Sequence, residues 1–228
     1  FPWLEDHKVG DAVVFPGAGY IEAALALARM HEEAEADLQP VSKELPCYAL
    51  TNVQFHGLLM YTPTEVRRIH TIFDNRQGTR QFQMYSKADG DVGGLLYHAS
   101  GMVSPLPWPS SGRKPSPFVI GELNDTAIYK TIGITQFYER LASAGLDYGR
   151  CFRTVTGLWR RVGVNPDEVV VKLALHADSI AASAAAPLEM QAPWNPYILH
   201  PTILDGAFQS LITLVDQRAT NSWAKCFV

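Results

Sequence analysis

Between residues 19 and 35 apolar side chains stand almost all round a helical wheel (Tyr20, Ile21, Ala23, Ala24, Leu25, Ala26, Leu27, Ala28) before the segment turns charged. A helix that is apolar on every side has to be wrapped by other structure, so the pattern predicts a central helix. Beyond it the apolar positions fall into short runs at residues 49–55, 57–62, 66–73, 80–86 and 95–102. Turn signals such as Asp74-Asn75 and Asp89-Gly90 part them, and the runs read as strands of an antiparallel meander. A similar pattern returns later: a short amphipathic helix at 135–144 closed by Gly145, and strands at 155–162 and 169–176. A second long helix follows at 201–216, with Leu204, Phe208, Leu211, Ile212 and Val215 at helical spacing.

Residues 104–117 carry five prolines, which exclude helix and central strand and mark a linker. It separates an N-terminal half, 1–103, from a C-terminal half, 118–228. The expected architecture is α+β, an antiparallel sheet around one long helix, occurring twice.

Composition narrows the function. The 228 residues are 47% hydrophobic and 18% charged, ordinary for a packed domain and unlike a disordered or fibrous chain. A formal charge of −4 leaves no positive excess for nucleic acid or an anionic membrane surface. No apolar run nears the ~20 residues that span a bilayer, and residues 1–7 have no leader-like pattern, so a soluble, cytoplasmic domain is expected. Cys47, Cys151 and Cys226 form no CxxC pair, which fits neither a disulfide framework nor a zinc site. No GxGxxG or GxxxxGK[ST] signals a nucleotide. His31, His56, His70, His98, His176 and His200 are scattered without ligand spacing, so no metal is expected.

Two segments concentrate unusual residues. In the first, His7 stands nine residues ahead of Pro16-Gly17-Ala18-Gly19 at the start of the apolar helix, where free N–H groups favour an oxyanion or a carbonyl oxygen. In the second, His200-Pro201-Thr202-Ile203-Leu204-Asp205-Gly206-Ala207-Phe208-Gln209 places an acid and an amide at i and i+4 on one helix face. Taken singly, His7 also reads as a structural histidine and Asp205 as a helix-start residue capping free N–H groups. Taken together, an imidazole and a desolvated carboxyl meeting in an apolar tunnel would make a general base and a general acid.

These segments resemble the dehydratase domain of type I polyketide synthases and of the animal-type fatty acid synthase, whose signatures are HxxxGxxxxP, a YGPxF-like stretch and DxxxQ or DxxxH. His7 and Pro16 keep the ends of the first, Tyr148-Gly149-Arg150-Cys151-Phe152 follows the second, and Asp205 with Gln209 satisfies the third. Two positions depart from the pattern. Asp11 stands where the family has glycine, with Gly10 one place earlier, and Arg150 stands where it has proline. Asp tolerates a left-handed conformation better than most residues, so the turn at Asp11 can survive.

The resemblance implies a double hotdog fold whose second repeat, 118–228, is incomplete at its C-terminal end, since the family continues with further strands. It implies dehydration of a 3-hydroxyacyl thioester, carried on the phosphopantetheine arm of an acyl carrier protein, to the 2,3-enoyl thioester. The domain needs no cofactor of its own, and its partners are the carrier protein and neighbouring synthase domains. His7 would take the α-proton, and the Gly17 N–H would hold the thioester carbonyl. Asp205 would protonate the departing hydroxyl, with Gln209 orienting it and Tyr148 positioning the hydroxyl. Pro16 and Phe152 are candidates for the substrate tunnel. Arg150 and Arg153, and after them Arg160 and Arg161, are candidates for carrier docking. The same residues would serve a double-bond isomerase or an oxa-Michael cyclase, and a non-catalytic structural domain is a third reading; homodimer formation is left open.

Overall fold

The segment that is apolar all round forms α1 (Gly17–Ala36), in which Ala18 to Glu22 are buried without interruption while Met30, in the charged half, is exposed. The computed structural model describes residues 2–36, 47–62, 66–76, 79–88, 93–106, 123–161, 163, 168–179 and 197–214. The expected turn at Asp89-Gly90, most of the proline-rich stretch, Val162, Val215, Asp216 and Cys226 lie outside them. The chain gathers into two units, residues 19–114 and residues 1–18 with 115–228. His7 and its flanks therefore belong with the C-terminal half.

In the first of these units the expected runs form β3 (Cys47–Phe55), β5 (Arg67–Arg76), β6 (Thr79–Ala88) and β7 (Leu96–Leu106), whereas the run expected at 57–62 shrinks to the two-residue β4 (Met60–Tyr61), which pairs with none of them. Four of these pair antiparallel in the order β3-β7-β6-β5. Along β6 the alternation is clean, with Arg80, Phe82, Met84 and Ser86 buried. Arg80 is tolerated inside because its guanidinium meets Glu32 of α1 at 2.8 Å.

Two local expectations are corrected here. Asp74-Asn75 is not a turn: β5 runs through it, with Asn75 opposite Arg80 and Arg76 opposite Thr79, because the cross-strand ladder overrides the local preference. β7 also continues three residues into the proline-rich stretch. Pro105 lies opposite Tyr48 of β3, beyond the last residue that β6 pairs, so its missing N–H costs no bond on that side.

The second unit holds two small sheets. β1 (His7–Val9) lies between β2 (Ala12–Val14) and β9 (Leu146–Tyr148). β10 (Val155–Arg161) lies between β8 (Tyr129–Thr131) and β11 (Val169–Leu173). Helix α2 (Ile134–Ser143) buries Phe137, Tyr138 and Leu141 and ends before Gly145, whose φ of 83° suits glycine alone. These join Trp3, Leu4, Leu146, Tyr148, Cys151, Phe152, Val155 and Leu158 in one core.

The second long helix is shorter than its pattern suggests. α3 (Pro201–Ser210) has ten residues and tightens into a 3-10 turn at Leu211–Leu214. Its buried stripe is not the apolar one either: Thr202, Asp205, Gly206, Gln209 and Ser210 face inward, while Leu204 and Phe208 are half-buried and Leu211 is exposed. Gly206 makes this packing feasible, because a Cβ there would fall on Thr154 Oγ1 of the Arg153-Thr154 link before β10. The helix thus turns its acid and its amide into the core.

Candidate active site

The β1–β2 hairpin sets the orientation of His7. Lys8 pairs with Val13 and Val9 with Ala12, leaving Gly10-Asp11 as the two-residue loop. The left-handed torsion falls on Gly10, with φ 60°, and not on Asp11. The departure at Asp11 is thereby explained: glycine has moved one place to where the turn needs it.

One residue beyond the Lys8–Val13 pair, His7 Nδ1 lies 2.8 Å from the Val14 carbonyl. A carbonyl oxygen only accepts, so Nδ1 carries the hydrogen, and the lone pair of the neutral ring sits on Nε2. Nε2 lies 3.7 Å from Asp205 Oδ1, with both side chains about nine-tenths buried. That separation is too long for a direct hydrogen bond, so the two groups face one another without being spent on each other.

Asp205 is fixed from its other oxygen. Gln209, one turn along α3, donates from Nε2 to Oδ2 at 2.8 Å and to the Phe152 carbonyl at 3.1 Å. With Oδ2 occupied as an acceptor, an acidic proton on Asp205 belongs on Oδ1, the oxygen facing His7. The reading of Asp205 as a cap is corrected: it is the fifth residue of α3, and the cap is His200, whose Nδ1 accepts from the Thr202 N–H at 3.3 Å.

Aromatic rings enclose the pair. Phe152, fully buried, lies 4.9 Å from the His7 ring, and Tyr148 meets it edge-on at 5.4 Å. Burial first, then the neighbouring Asp205, pushes the Tyr148 hydroxyl far above the usual phenol range, so it stays protonated as a donor. Pro16 is fully buried, and Gly17 is the first residue of α1, where a helix leaves its N–H without an intrahelical acceptor. Gly17 stands in no described contact with the pair.

The arginines stand apart from the chemistry. Arg153 donates from Nε to the Tyr148 carbonyl at 2.7 Å and lies over the Tyr138 ring. Arg150 is exposed, with Asp178 at 3.7 Å. Both border a cavity of about 330 Å³ together with Lys8 and the acids Glu5, Asp6 and Asp147. Arg160 and Arg161 lie on β10, where Arg161 pairs with Glu168 at 3.2 Å. Among the described residues no three His, Cys, Asp or Glu side chains gather as metal ligands, and no helix is long and apolar enough to cross a membrane.

Sequence reasoning missed the Val14 and Phe152 carbonyls, which are set by register and leave no trace in residue type. It also missed the capping role of His200. The burial of this ring, with Trp3 at 5.6 Å and Tyr197 at 4.6 Å, lowers its pKa to about 4. The unfolded chain protonates it near 6.5. Its contribution to stability is therefore present above pH 6.5 and is lost as pH falls towards 4, where protonated Nδ1 can no longer accept from Thr202. His200→Asn, a cap that does not titrate, is expected to flatten the decline of the unfolding midpoint across that window; an unchanged pH slope would contradict this.

Comparison with known proteins defines the family. The family model described as polyketide synthase dehydratase domain matches residues 1–87, and the model described as polyketide synthase dehydratase N-terminal domain matches residues 126–226. The chain is 25% identical over 226 residues to the mycoketide-CoA synthase of Mycobacterium tuberculosis, covering 94% of the chain and 4% of that protein. It is 27% identical over 214 residues to a highly reducing polyketide synthase of Penicillium crustosum, covering 92% and 8%. The dehydratase of the CurK module, solved as inactive mutants among other forms, superposes with a TM-score of 0.70 at 21% identity, over 97% of this chain and 66% of that one. The fold is the double hotdog. The chain belongs to the dehydratase domains of type I polyketide synthases, and it spans a small part of the synthases it matches.

Proposed function

We propose that this domain removes water from a 3-hydroxyacyl thioester, held on the phosphopantetheine arm of an acyl carrier protein, to give the 2,3-enoyl thioester. The observation that carries this reading is the facing of His7 Nε2 and Asp205 Oδ1, each fixed from behind by a hydrogen bond that leaves the reactive atom forward. His7 Nε2 takes the α-proton, and the C–H electron pair becomes the new C=C bond. The β-carbon–oxygen bond breaks, and Asp205 Oδ1 gives its proton to the departing hydroxyl, which leaves as water. The pair ends with one proton moved from Asp205 to His7, and returning it across the gap restores the starting state. Base and acid side by side favour loss of hydrogen and hydroxyl from one face of the substrate.

The Gly17 N–H is assigned to the thioester carbonyl, where enolate charge develops. Tyr148, a donor at the edge of the His7 ring, positions the β-hydroxyl, and Pro16 and Phe152 shape the acyl channel. Arg150, being exposed, and Arg153 beside it form the carrier-facing rim. No metal or redox group enters this reaction, and the neighbouring domains of a synthase supply and consume the thioester in a cytoplasmic setting. The inactive His-to-Phe and Asp-to-Asn mutants of the CurK dehydratase support the same two residue types.

The test is mass spectrometry of the domain with a panel of 3-hydroxyacyl thioesters on carrier protein and on pantetheine. Loss of one water from at least one member is expected. A folded sample that dehydrates none, but shifts a double bond or closes a ring on an enoyl thioester, would overturn the reading.

A further inference from the structure

The proposed reaction leaves Asp6 without a role, although Asp6 is tied closely into the site. It ends the 3-10 turn Pro2–Asp6 and stands directly before His7. Its main-chain carbonyl accepts from the Gly149 N–H at 2.7 Å, and its Oδ2 accepts from the Cys151 N–H at 2.8 Å. Both donors lie in the turn that connects Tyr148 to Phe152. Gly149 has φ −77° and ψ −178°, an extended backbone open to any residue, so glycine is not required there for its torsions. A Cβ at that position would fall on the Asp6 carboxyl group. Glycine is there to leave that carboxylate room.

The turn held in this way controls both halves of the pair. Tyr148 and Phe152 are the aromatic walls of the His7 ring, at 5.4 and 4.9 Å. The Phe152 carbonyl is the second acceptor of Gln209 Nε2, the group that orients Asp205. Displacing the turn shifts the walls of the base and the support of the acid together. We propose that Asp6 is a positioning residue, which sets the His7–Asp205 geometry through the Gly149–Phe152 turn. Its effect on turnover rests on the dehydratase reading; its effect on the surroundings of His7 does not.

The experiment measures kcat, KM and the proton resonances of the His7 ring in the whole 228-residue chain and its variants. Asp6→Ala is expected to lower kcat by roughly 10²-fold with little change in KM, as a small misplacement of reacting groups does. The His7 ring protons, which sense the ring currents of Tyr148 and Phe152, should move towards their unfolded positions. Asp6→Asn, whose amide oxygen can still accept from Cys151, should recover most of both. Gly149→Ala should reproduce the loss in the native background and add nothing to Asp6→Gly, since the clash has no partner there. If Asp6→Ala does not fold, the comparison of Asp6→Asn with Gly149→Ala carries the same test. Native kcat and unmoved His7 resonances in Asp6→Ala, or an equal cost of Gly149→Ala in both backgrounds, would overturn the proposal. Full turnover in His7→Gln, with the resonances still moving in Asp6→Ala, would sink the dehydratase reading and leave the positioning role standing.

Discussion

His7→Gln is expected to slow water loss by roughly 10²–10⁴-fold, the range over which a positioned acid or base accelerates proton transfer. Glutamine is the informative replacement. It approximates the length of the imidazole and carries its amide at the level of Nε2, so the bond from Nδ1 to the Val14 carbonyl is given up together with the base. What it lacks is a basic lone pair at the position of Nε2. One buried hydrogen bond is lost with the base, a cost of about 1–3 kcal/mol, so the unfolding midpoint should fall modestly while the rate falls by orders of magnitude. A parallel fall in stability and rate would show that His7 serves the hairpin and not the chemistry.

Asp205→Asn is the second large effect, again roughly 10²–10⁴-fold in water loss. Asparagine fills the same volume and still accepts from Gln209, so α3 keeps its seat, but its amide cannot protonate a leaving hydroxyl. Asp205→Ala is less clean, because it also removes one of the two acceptors of the buried Gln209 amide. The two variants should differ in a second property. With the base intact, Asp205→Asn should still exchange the α-hydrogen of the thioester with solvent, whereas His7→Gln should not. Identical behaviour in this exchange would remove the separate roles assigned to the two residues.

Much of this was legible in the chain itself, for physical reasons. The apolar circumference of residues 20–28 can only be satisfied by wrapping it in other structure, and it became the largely buried start of α1. The i, i+4 spacing put Asp205 and Gln209 on one helix face, and the resemblance implied that Gln209 orients the acid; in the folded chain a hydrogen bond joins them. What was not legible depended on partners remote in sequence. The inward face of α3 is its polar stripe, because Gly206 lets the helix close on Thr154, and no periodicity within the helix shows that. The tautomer of His7 rests on a carbonyl seven residues away, chosen by a two-residue loop. Asp6 looks like any surface acid until the turn 145 residues later is folded against it. Strand lengths erred in the same way: Asp74-Asn75 carries turn chemistry, but β6 supplied pairing partners that kept it extended.

The most direct test of the His7–Asp205 pair is the fate of deuterium placed on the α-carbon of a 3-hydroxyacyl thioester, followed by mass spectrometry with the native domain and His7→Gln side by side. The native domain should release deuterium from the α-carbon in step with water and run several-fold slower than with ordinary hydrogen, while His7→Gln should retain both deuterium and hydroxyl. Deuterium and water leaving the His7→Gln variant at the native rate would show that His7 is not the base.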